Sequence, residues 1–566
     1  MYAPFYLKSR CANPPLRIGV LLDARVLPAC FAETLDQIAH CNFARLEWAV
    51  FNGEAGKPEA LRQKLFFNLY ERFDRRRITE AEDPLREVDC SSCLEHVESL
   101  TIVPVTTQGS MQRFSEDAIR RTREKNLDVL IRFGFKQLHG DILLAARYGI
   151  WSYRYGGDDA SYTGHPYFWE MFEDNPISEV ALQVLTDEPA SSKVLCKGFF
   201  ATCRGSSWSR NRVQPYWGAT TFLIQKLRQL YEFGWKRGED EVPSSVPHRG
   251  RSRTDTVPTN WQMAQWLGRV MVRTAGGRLA RLARGPRLPH FMLAVNPGSR
   301  PRIDCGAPAN LRGFRWITSP RGHFYADPFL IRHLEQTWVF FEDFDYALQK
   351  GTIACAELTV SGHLATAIPV LEKPYHLSYP CIFRDGGELY MIPESLGNET
   401  VELYRCARFP DQWEAVKVLL RAPAVDTTVW IEDGTYWFFV TLVERRGGGL
   451  QLWLLHSRTL TGEWTPHTQN PISTDVRRSR GAGAIYRDGG KLIRPSQDCS
   501  GNYGRSFTLN EIVVLNKCAY SERPCVTVEP EGVRHLMGTH TYSHLDRLEV
   551  VDGYALVSGR HVTARS

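Results

Sequence analysis

The sequence predicts a multidomain chain: an α/β domain built on a parallel sheet, then an all-β propeller. Three observations predict this. In the first half, apolar strand segments alternate with helical ones. From about Gly313 the hydrophobic period changes to two and stays so to the end. Within that second region, a short apolar run, an Asp-Gly turn and another apolar run recur four times. The copies are Pro380–Ser395, Thr427–Val440, Gly483–Ser496 and Leu545–Gly559; a fifth relative, Ala326–Asp343, has a different turn. A hairpin repeated about every 50 residues is a propeller signature, because one blade buries its faces only against its neighbours.

The elements of the first half follow in order. Leu16–Asp23 reads as a buried strand, Pro28–His40 as a helix by apolar spacing, and Ala44–Gly53 as a second strand. Leu100–Thr107 is a third strand. Ser115–Asn126 opens with a Ser cap and an acidic first turn, as a helix should, and Leu127–Phe135 is a fourth strand. Strands alternating with helices imply a parallel sheet covered on both faces. Ligands of such sheets sit beyond the carboxyl ends of the strands, here after Phe135 and around Trp151–Trp169. The first domain is assigned to residues 1–235. Residues 236–312 form a linker, rich in Pro, Ser and charge, and a basic connecting helix at Trp261–Gly285. Gly276-Gly277 argues against one long helix there. Peripheral membrane contact through this helix is the other use of its basic, partly amphipathic face. The propeller is assigned to residues 313–566.

Composition narrows the function. At 566 residues the chain is too long for one core. With 43% hydrophobic and 23% charged residues it is neither disordered nor fibrous. Its net charge of +6 is spread along the chain, and no nucleic-acid partner is expected. No export signal and no transmembrane run is read, so a cytoplasmic location is expected. The 14 cysteines follow no framework spacing and read as reduced thiols. The single CxxC, Cys90 and Cys93, lacks a second pair, so no metal site and no cofactor is expected.

Leu127–Gly157 runs strand, apolar helix, Ala-x-x-Gly turn, strand, and Thr163–Leu195 continues with a Pro-containing loop and a helix. This order resembles the fold shared by methionyl-tRNA and sugar-nucleotide formyltransferases, over about the first 230 residues. The resemblance implies a Rossmann-type domain whose chemistry needs an Asn, a His and an Asp. Ser152 stands at the Asn position, Arg154 at the His position, and Ser191 near the Asp position. Arg cannot shuttle a proton near neutral pH, and Ser cannot tune an imidazolium as a carboxylate does. His165 and Asp158 are the candidates to stand in. The expected reading is a formyltransferase-like domain with its catalytic residues replaced.

In the repeat, Asp385, Asp433, Asp488 and Asp552 precede Gly where a type I′ turn wants Asp-Gly, and all four are assigned to structure. The starts of the first strands differ. These line a propeller's channel and converge at one mouth. Round the ring they read Tyr325 and Asp327, His376 and Tyr379, Asp426, Arg480, and His540 or His544. Acids, histidines, aromatics and an Arg at one mouth suit a sugar. Glu394 ends a second strand after Pro393, Glu342 and Asp343 read as channel-edge or solvated, and Gln497, Asp498 and Tyr503 read as a pocket rim.

Tyr-Ala-Asp-Pro-Phe (325–329), Met-Ile-Pro-Glu-Ser (391–395), Asp-Thr-Thr-Val-Trp (426–430) and Arg-Pro-Ser-Gln-Asp (494–498) carry a second resemblance. They look like the N-terminal domain of plant glucosamine inositolphosphorylceramide transferases, itself similar to five-bladed-propeller glycosidases. The resemblance implies Asp327 as base, Glu394 as acid and Asp426 as the acid that orients the sugar. Two carboxyl groups flanking a glycosidic bond, one protonated and one ionised, are what inversion needs. In the plant proteins sugar transfer belongs to a separate nucleotide-sugar domain, and no segment here reads as one.

Three functions follow as expectations. The first is glycosyl hydrolysis or transfer at the propeller mouth, on a carbohydrate or glycolipid. The second is a non-catalytic glycan-binding module in polysaccharide or glycolipid assembly. The third is formyl transfer to an amino sugar, against which Ser152, Arg154 and Ser191 already count.

Overall fold

The computed structural model describes residues 6–54, 65–106, 111–157, 165–188, 191–203, 205, 207–235, 257–296, 303–305, 309, 311–359, 361–531, 533 and 535–559. The chain forms two compact units, Met1–Met271 with Glu444–Gly449, and Val272–Val443 with Leu450–Ser566.

The first unit is built on a seven-stranded sheet. Its strands are β1 (Leu16–Leu22), β2 (Ala44–Asn52), β3 (Glu98–Ile102), β4 (Val129–Arg132), β5 (Ile150–Tyr155), β6 (Ile177–Val184) and β7 (Lys193–Ala201). The order is β3-β2-β1-β4-β5-β6-β7, parallel from β3 to β5, with β6 and β7 antiparallel at one edge. The expected strands and helices lie within a few residues of those read from periodicity. Helix α1 (Ala29–His40) follows β1, and α2 (Glu116–Glu124) is capped by Ser115, whose side chain accepts from the Ala118 N–H. The order reverses between β1 and β4, which opens a crevice at their carboxyl ends. There Asp23 Oδ1 accepts from the Phe135 N–H at 2.9 Å. Helices α3 (Trp208–Gly218) and α4 (Thr220–Phe233) end the unit's sequence before the linker.

Helix α5 runs unbroken over Asn260–Arg284. The connecting helix expected at Trp261–Gly285 is there, and Gly276-Gly277, which cost about 2 kcal/mol of helix propensity, do not end it. Among the described residues no helix is long and apolar enough to cross a membrane. All the cysteines, Cys90 and Cys93 included, are free thiols.

The second unit holds five antiparallel sheets among the described residues. Their first strands are β9 (His323–His333), β10 (Ser378–Asp385), β11 (Ala424–Glu432), β12 (Arg480–Gly481) and β13 (Leu536–Leu545). β9 packs against β10 and β13, β10 against β11, and β11 against β12. The strand Lys491–Asp498, beside β12, packs against β13, so the sheets follow one another in a cycle. Apolar layers fill the gaps between consecutive sheets. Trp437, Phe439 and Leu454 of one sheet meet Ile485, Leu492 and Ile512 of the next, and Ile493 and Phe507 meet Tyr542 and Val551. The segment expected as linker contributes more than a connection. Strand β8 (Arg287–Asn296) pairs along its length with Leu548–Ser558, so the last sheet is completed by the start of the unit. The expected boundary at 313 therefore falls too late, because a single strand says nothing local about its partner.

Four of the five first strands carry a bulge at the same place. Asp327–Pro328 oppose one residue where pairing steps from Ala326–Glu342 to Phe329–Phe340. Tyr379–Pro380, Asp426–Thr427 and His540–Thr541 do the same in their sheets. Asp327, Tyr379 and Asp426 have φ of 53°, 44° and 47°, a strained region for residues with a side chain. Bulges of this kind re-aim a side chain out of the sheet's alternation. In the fourth sheet pairing steps from Gly481–Ser496 to Tyr486–Ile493, and Gly483 lies within that step with φ of 133°. A Cβ there would lie 1.9 Å from the Tyr542 carbonyl oxygen. Gly483→Ala is expected to lose about 3 kcal/mol or more in urea unfolding. Gly386→Ala, in a turn with nothing within 4 Å of its Cβ, should lose only about 1 kcal/mol.

Candidate functional site

The bulges bring acids from different sheets to one end of the cycle. Asp552, on the strand that pairs with β13, sits opposite His540–Thr541. Its Oδ1 accepts from His540 Nδ1 at 2.7 Å, from the His540 N–H at 3.2 Å and from the Thr541 N–H at 2.8 Å. Its Oδ2 accepts from the Asp327 N–H at 2.9 Å. His540 Nε2 then faces Asp327 Oδ1 at 3.5 Å, and Asp327 Oδ2 accepts from the Tyr379 N–H at 3.2 Å. A carboxylate, an imidazole and a second carboxylate thus stand in line, all buried.

A second group is centred on Arg480. Its guanidinium donates to both oxygens of Asp426, one of them at 3.4 Å, and lies 3.5 Å from Glu394 Oε2. Gln497 Nε2 donates to Asp426 Oδ2 at 2.9 Å. The Arg480 guanidinium lies over the Tyr503 ring at 4.8 Å, and Tyr503 makes a T-shaped contact with His540. Glu394 is 9% exposed, and its Oε2 makes no hydrogen bond. Glu342, on the second strand of the first sheet, lies 3.5 Å from His376 Nε2. His376 Nδ1 accepts from the Gly351 N–H, which leaves its proton on Nε2, toward Glu342.

These acids cannot all be ionised together. Burial pushes Asp327 up from 3.8 to about 7, with His540 pulling it down and Asp552 and Asp426 pushing it further up. Burial holds Glu394 well above the usual carboxyl range, with Asp426 adding to this and Arg480 opposing it. Glu342 is held well above its range by burial and then by Asp327 and Glu394. Asp552 goes the other way: burial alone would raise it, but His540 and the N–H donors outweigh that. Burial would lower His540, yet Asp552 and Asp327 raise it. The result is an Asp552–imidazolium pair beside a carboxyl poised near neutrality. The ligand atoms of Asp327, His540 and Asp552 lie within 4.8 Å of one another, a spacing a cation can bridge. Both Asp552 oxygens, however, already accept N–H donors.

The structure brings together Asp327, Glu394, Asp426, Arg480 and Gln497, with His376 beside Glu342. Several expected residues it places elsewhere. Asp552 is no turn residue: the hairpin turns at Asp546-Arg547, between the paired Leu545 and Leu548. Asp385, Asp433 and Asp488 do stand at turns, where Gly386-Gly387, Asp433-Gly434 and Gly489-Gly490 take the positive φ values. Glu342 is buried among the acids rather than solvated. Tyr325 is 5% exposed and packs on Phe341 in the layer between sheets, because it precedes the bulge and faces the core. Tyr379 is wholly buried, with its hydroxyl accepting from the Gly483 N–H at 2.7 Å and paired with Thr428 Oγ1 at 2.9 Å. It braces three sheets and offers no hydroxyl to a ligand. His544 packs on Tyr486 in a tilted contact beyond the bulge, so His540 is the histidine of the site. Asp498 Oδ1 is engaged by the Ser500 N–H at a strand end. Asp552, the partner of His540, was hidden by a dipeptide that mimics a turn, and Glu342, read as channel-edge or solvated, is buried among the acids.

In the first unit Ser152 Oγ accepts from Arg132 Nε at 3.0 Å. Arg154 and Lys197 share Glu179 at 3.4 and 3.3 Å. Ser191 is exposed and bonded to Glu188, so it does not join Ser152 and Arg154. His165 stacks on Phe67 at 4.5 Å, and Asp158 lies outside the described residues.

Asp327, Glu394, Asp426, Arg480, His540 and Asp552 all fall in one stretch of chain with known relatives. Residues 297–561 match the family of the glucosamine inositolphosphorylceramide transferase 1 N-terminal region. The glucosamine inositolphosphorylceramide transferase 1 of Oryza sativa subsp. japonica is 32% identical over 266 residues, 45% of this chain and 34% of that protein. The chain therefore spans about a third of the length of this transferase. Among solved structures, a thermostable family-43 glycoside hydrolase matches 38% of this chain and 82% of its own, at 14% identity and a TM-score of 0.30. Glycinamide ribonucleotide transformylase 1 from Symbiobacterium toebii matches 38% of this chain and 88% of its own, at 11% identity and a TM-score of 0.26.

Proposed function

We propose that the five-sheet unit is a five-bladed β-propeller that acts on a glycan or a glycolipid headgroup, by glycosyl hydrolysis or transfer where the bulged strands converge. Glu394 is the general acid, Asp327 the base, and Asp426, clamped by Arg480 and Gln497, orients the sugar. The observation that carries this reading is Glu394 itself. Burial and the neighbouring Asp426 hold this carboxyl well above its usual range, although its Oε2 lies 3.5 Å from Arg480, so it keeps a proton to give to a leaving oxygen. The similarity of residues 297–561 to a glucosamine inositolphosphorylceramide transferase supports a glycolipid or glycan as substrate. The α/β unit takes no formyl-transfer role in this reading, since Ser152 and Arg154 are spent on internal partners.

The test is turnover of a panel of oligosaccharides and glycosylated inositol phospholipids by the full chain. Glu394→Gln and Asp327→Asn should each lower kcat by about 10²–10⁴-fold on any substrate that the unaltered protein cleaves or transfers. Turnover unchanged in both variants would remove the acid–base assignment. Sugar binding without turnover, surviving both substitutions, would instead make the mouth a recognition module.

A further inference from the structure

The α/β unit buries a cation that has no ion pair among the described residues. Arg212, on α3, is 4% exposed. Among the described residues no carboxylate oxygen comes within 4.0 Å of its guanidinium. Its Nε makes no hydrogen bond, and its Nη2 reaches Ser209 Oγ only at 3.4 Å. Two other buried arginines each face a glutamate, and a third, Arg132, donates to Ser152 Oγ and the Lys136 carbonyl. Arg154 faces Glu179, and Arg494 faces Glu522 at 2.7 Å. Asp83 and Glu71 act on Arg212 from a distance, and burial outweighs them. An unpaired buried charge is costly, and folding alone gives no reason to keep one.

An aromatic ring packs on Arg212, and further rings follow along the same helix and the neighbouring strand ends. Its guanidinium lies over the Trp208 ring at 4.0 Å, which covers a face and leaves the donor edge. Tyr216 lies one helical turn further along α3. Tyr216 stacks on Tyr155 at 4.1 Å. Tyr155 ends β5, Phe133 follows β4 and Phe31 stands in the first turn of α1. Phe31 lies 4.9 Å from Phe133 and 6.4 Å from Tyr155. Phe31, Phe133 and Tyr155 are half-buried, so this wall has an open side. It sits at the carboxyl ends of parallel strands, where α/β sheets bind ligands.

We propose that Arg212 and this aromatic wall form a binding site for a small phosphorylated molecule with a ring, the phosphate on the guanidinium edge and the ring against Tyr155 and Phe133. The guanidinium fork matches a phosphate with two parallel hydrogen bonds, and the rings accept a base or a sugar face. Nucleotides and sugar phosphates share this chemistry.

Calorimetric titration and thermal melting of the full chain with inorganic phosphate, uridine diphosphate, adenosine diphosphate and glucose 1-phosphate test the proposal. At least one organic phosphate should bind and raise Tm; a response to the diphosphates alone assigns a nucleotide, and one to glucose 1-phosphate alone a sugar phosphate. Arg212→Met should weaken that binding at least about tenfold, as expected for lost hydrogen bonds to a charged group. Without ligand, Arg212→Met should melt no lower than the unaltered chain, because it removes an unpaired charge. Arg212→Lys, which keeps the charge but loses the fork, should fold and bind about tenfold more weakly. No binding by any of the four, or unchanged binding in Arg212→Lys and Arg212→Met, would overturn the proposal. So would a marked loss of ligand-free stability in Arg212→Met, which would make Arg212 a structural partner of Trp208.

Discussion

Asp552→Ala is expected to destabilise the five-sheet unit by about 5 kcal/mol or more, enough to unfold many domains outright. The side chain has no solvent exposure and collects the N–H groups of Asp327, His540 and Thr541 together with His540 Nδ1. Alanine would orphan three buried backbone donors, each costing about 1–3 kcal/mol. It would also strand a buried imidazole whose charge Asp552 balances, and breaking such a pair costs about 3–5 kcal/mol. These losses overlap, so they do not add in full. Asp552→Asn keeps one carbonyl oxygen and should fall between alanine and the unaltered chain. Urea unfolding of the three proteins checks the order. A loss below about 1 kcal/mol for alanine would show that the bulges at Asp327 and His540 stand without this carboxylate.

Asp327→Asn is expected to raise stability while removing activity, and only above a certain pH. The Asp327 carboxyl is buried and pushed up to about 7, from 3.8 in the unfolded chain. Between those values the folded protein keeps a proton that the unfolded chain releases. Stability therefore falls as pH rises from about 4 to about 7, and the full penalty applies above 7. Three pH units correspond to on the order of 4 kcal/mol, part of it shared with the neighbouring acids. Asparagine carries no charge and retains an acceptor for the Tyr379 N–H. At pH 8 the variant should melt on the order of 5 °C higher than the unaltered protein, and at pH 4 the difference should vanish. Equal melting temperatures at pH 8 would mean that the Asp327 charge is already well balanced by His540. The same carboxyl, if it is the base, must ionise to act, so turnover should rise with pH through about 7. A stabilising substitution that removes function is the usual mark of an acid kept for chemistry.

The hairpins were legible because their signal is short-range. Gly386-Gly387, Asp433-Gly434 and Gly489-Gly490 need a positive φ at both turn residues, and few residues tolerate it. Asp552-Gly553 carries the same letters inside a strand. There the pairing of Leu545 with Leu548 has already placed the turn at Asp546-Arg547. A comparison of bulge positions would have separated the two cases. Ala-Asp-Pro (326–328), Ser-Tyr-Pro (378–380), Val-Asp-Thr (425–427) and Thr-His-Thr (539–541) align as one position of the repeat, which also selects His540 over His544. That alignment distinguishes Tyr325, one step before the bulge's neighbour and therefore core-facing, from Asp327, which is turned out of the sheet. Strand β8 could not be read this way, because its partner Leu548–Ser558 lies more than 250 residues further on.

Local patterning, then, was enough for the α/β order, the repeated hairpins, the switch of period and the shortlist of Asp327, Glu394, Asp426 and Arg480. Periodicity and turn chemistry act over a few residues, and the chain writes them out directly. Which acids meet, and with what charge, was decided by the closing of the sheets on one another. Asp552, His540, Asp327 and Tyr379 come from three different sheets, and Arg480, Asp426 and Glu394 from three as well. Their protonation follows from burial and from one another, neither of which exists before the strands assemble. Arg212 belongs to the same class of fact: any sequence shows an arginine on a helix, but only the folded unit shows one buried over Trp208 with no carboxylate within 4.0 Å among the described residues.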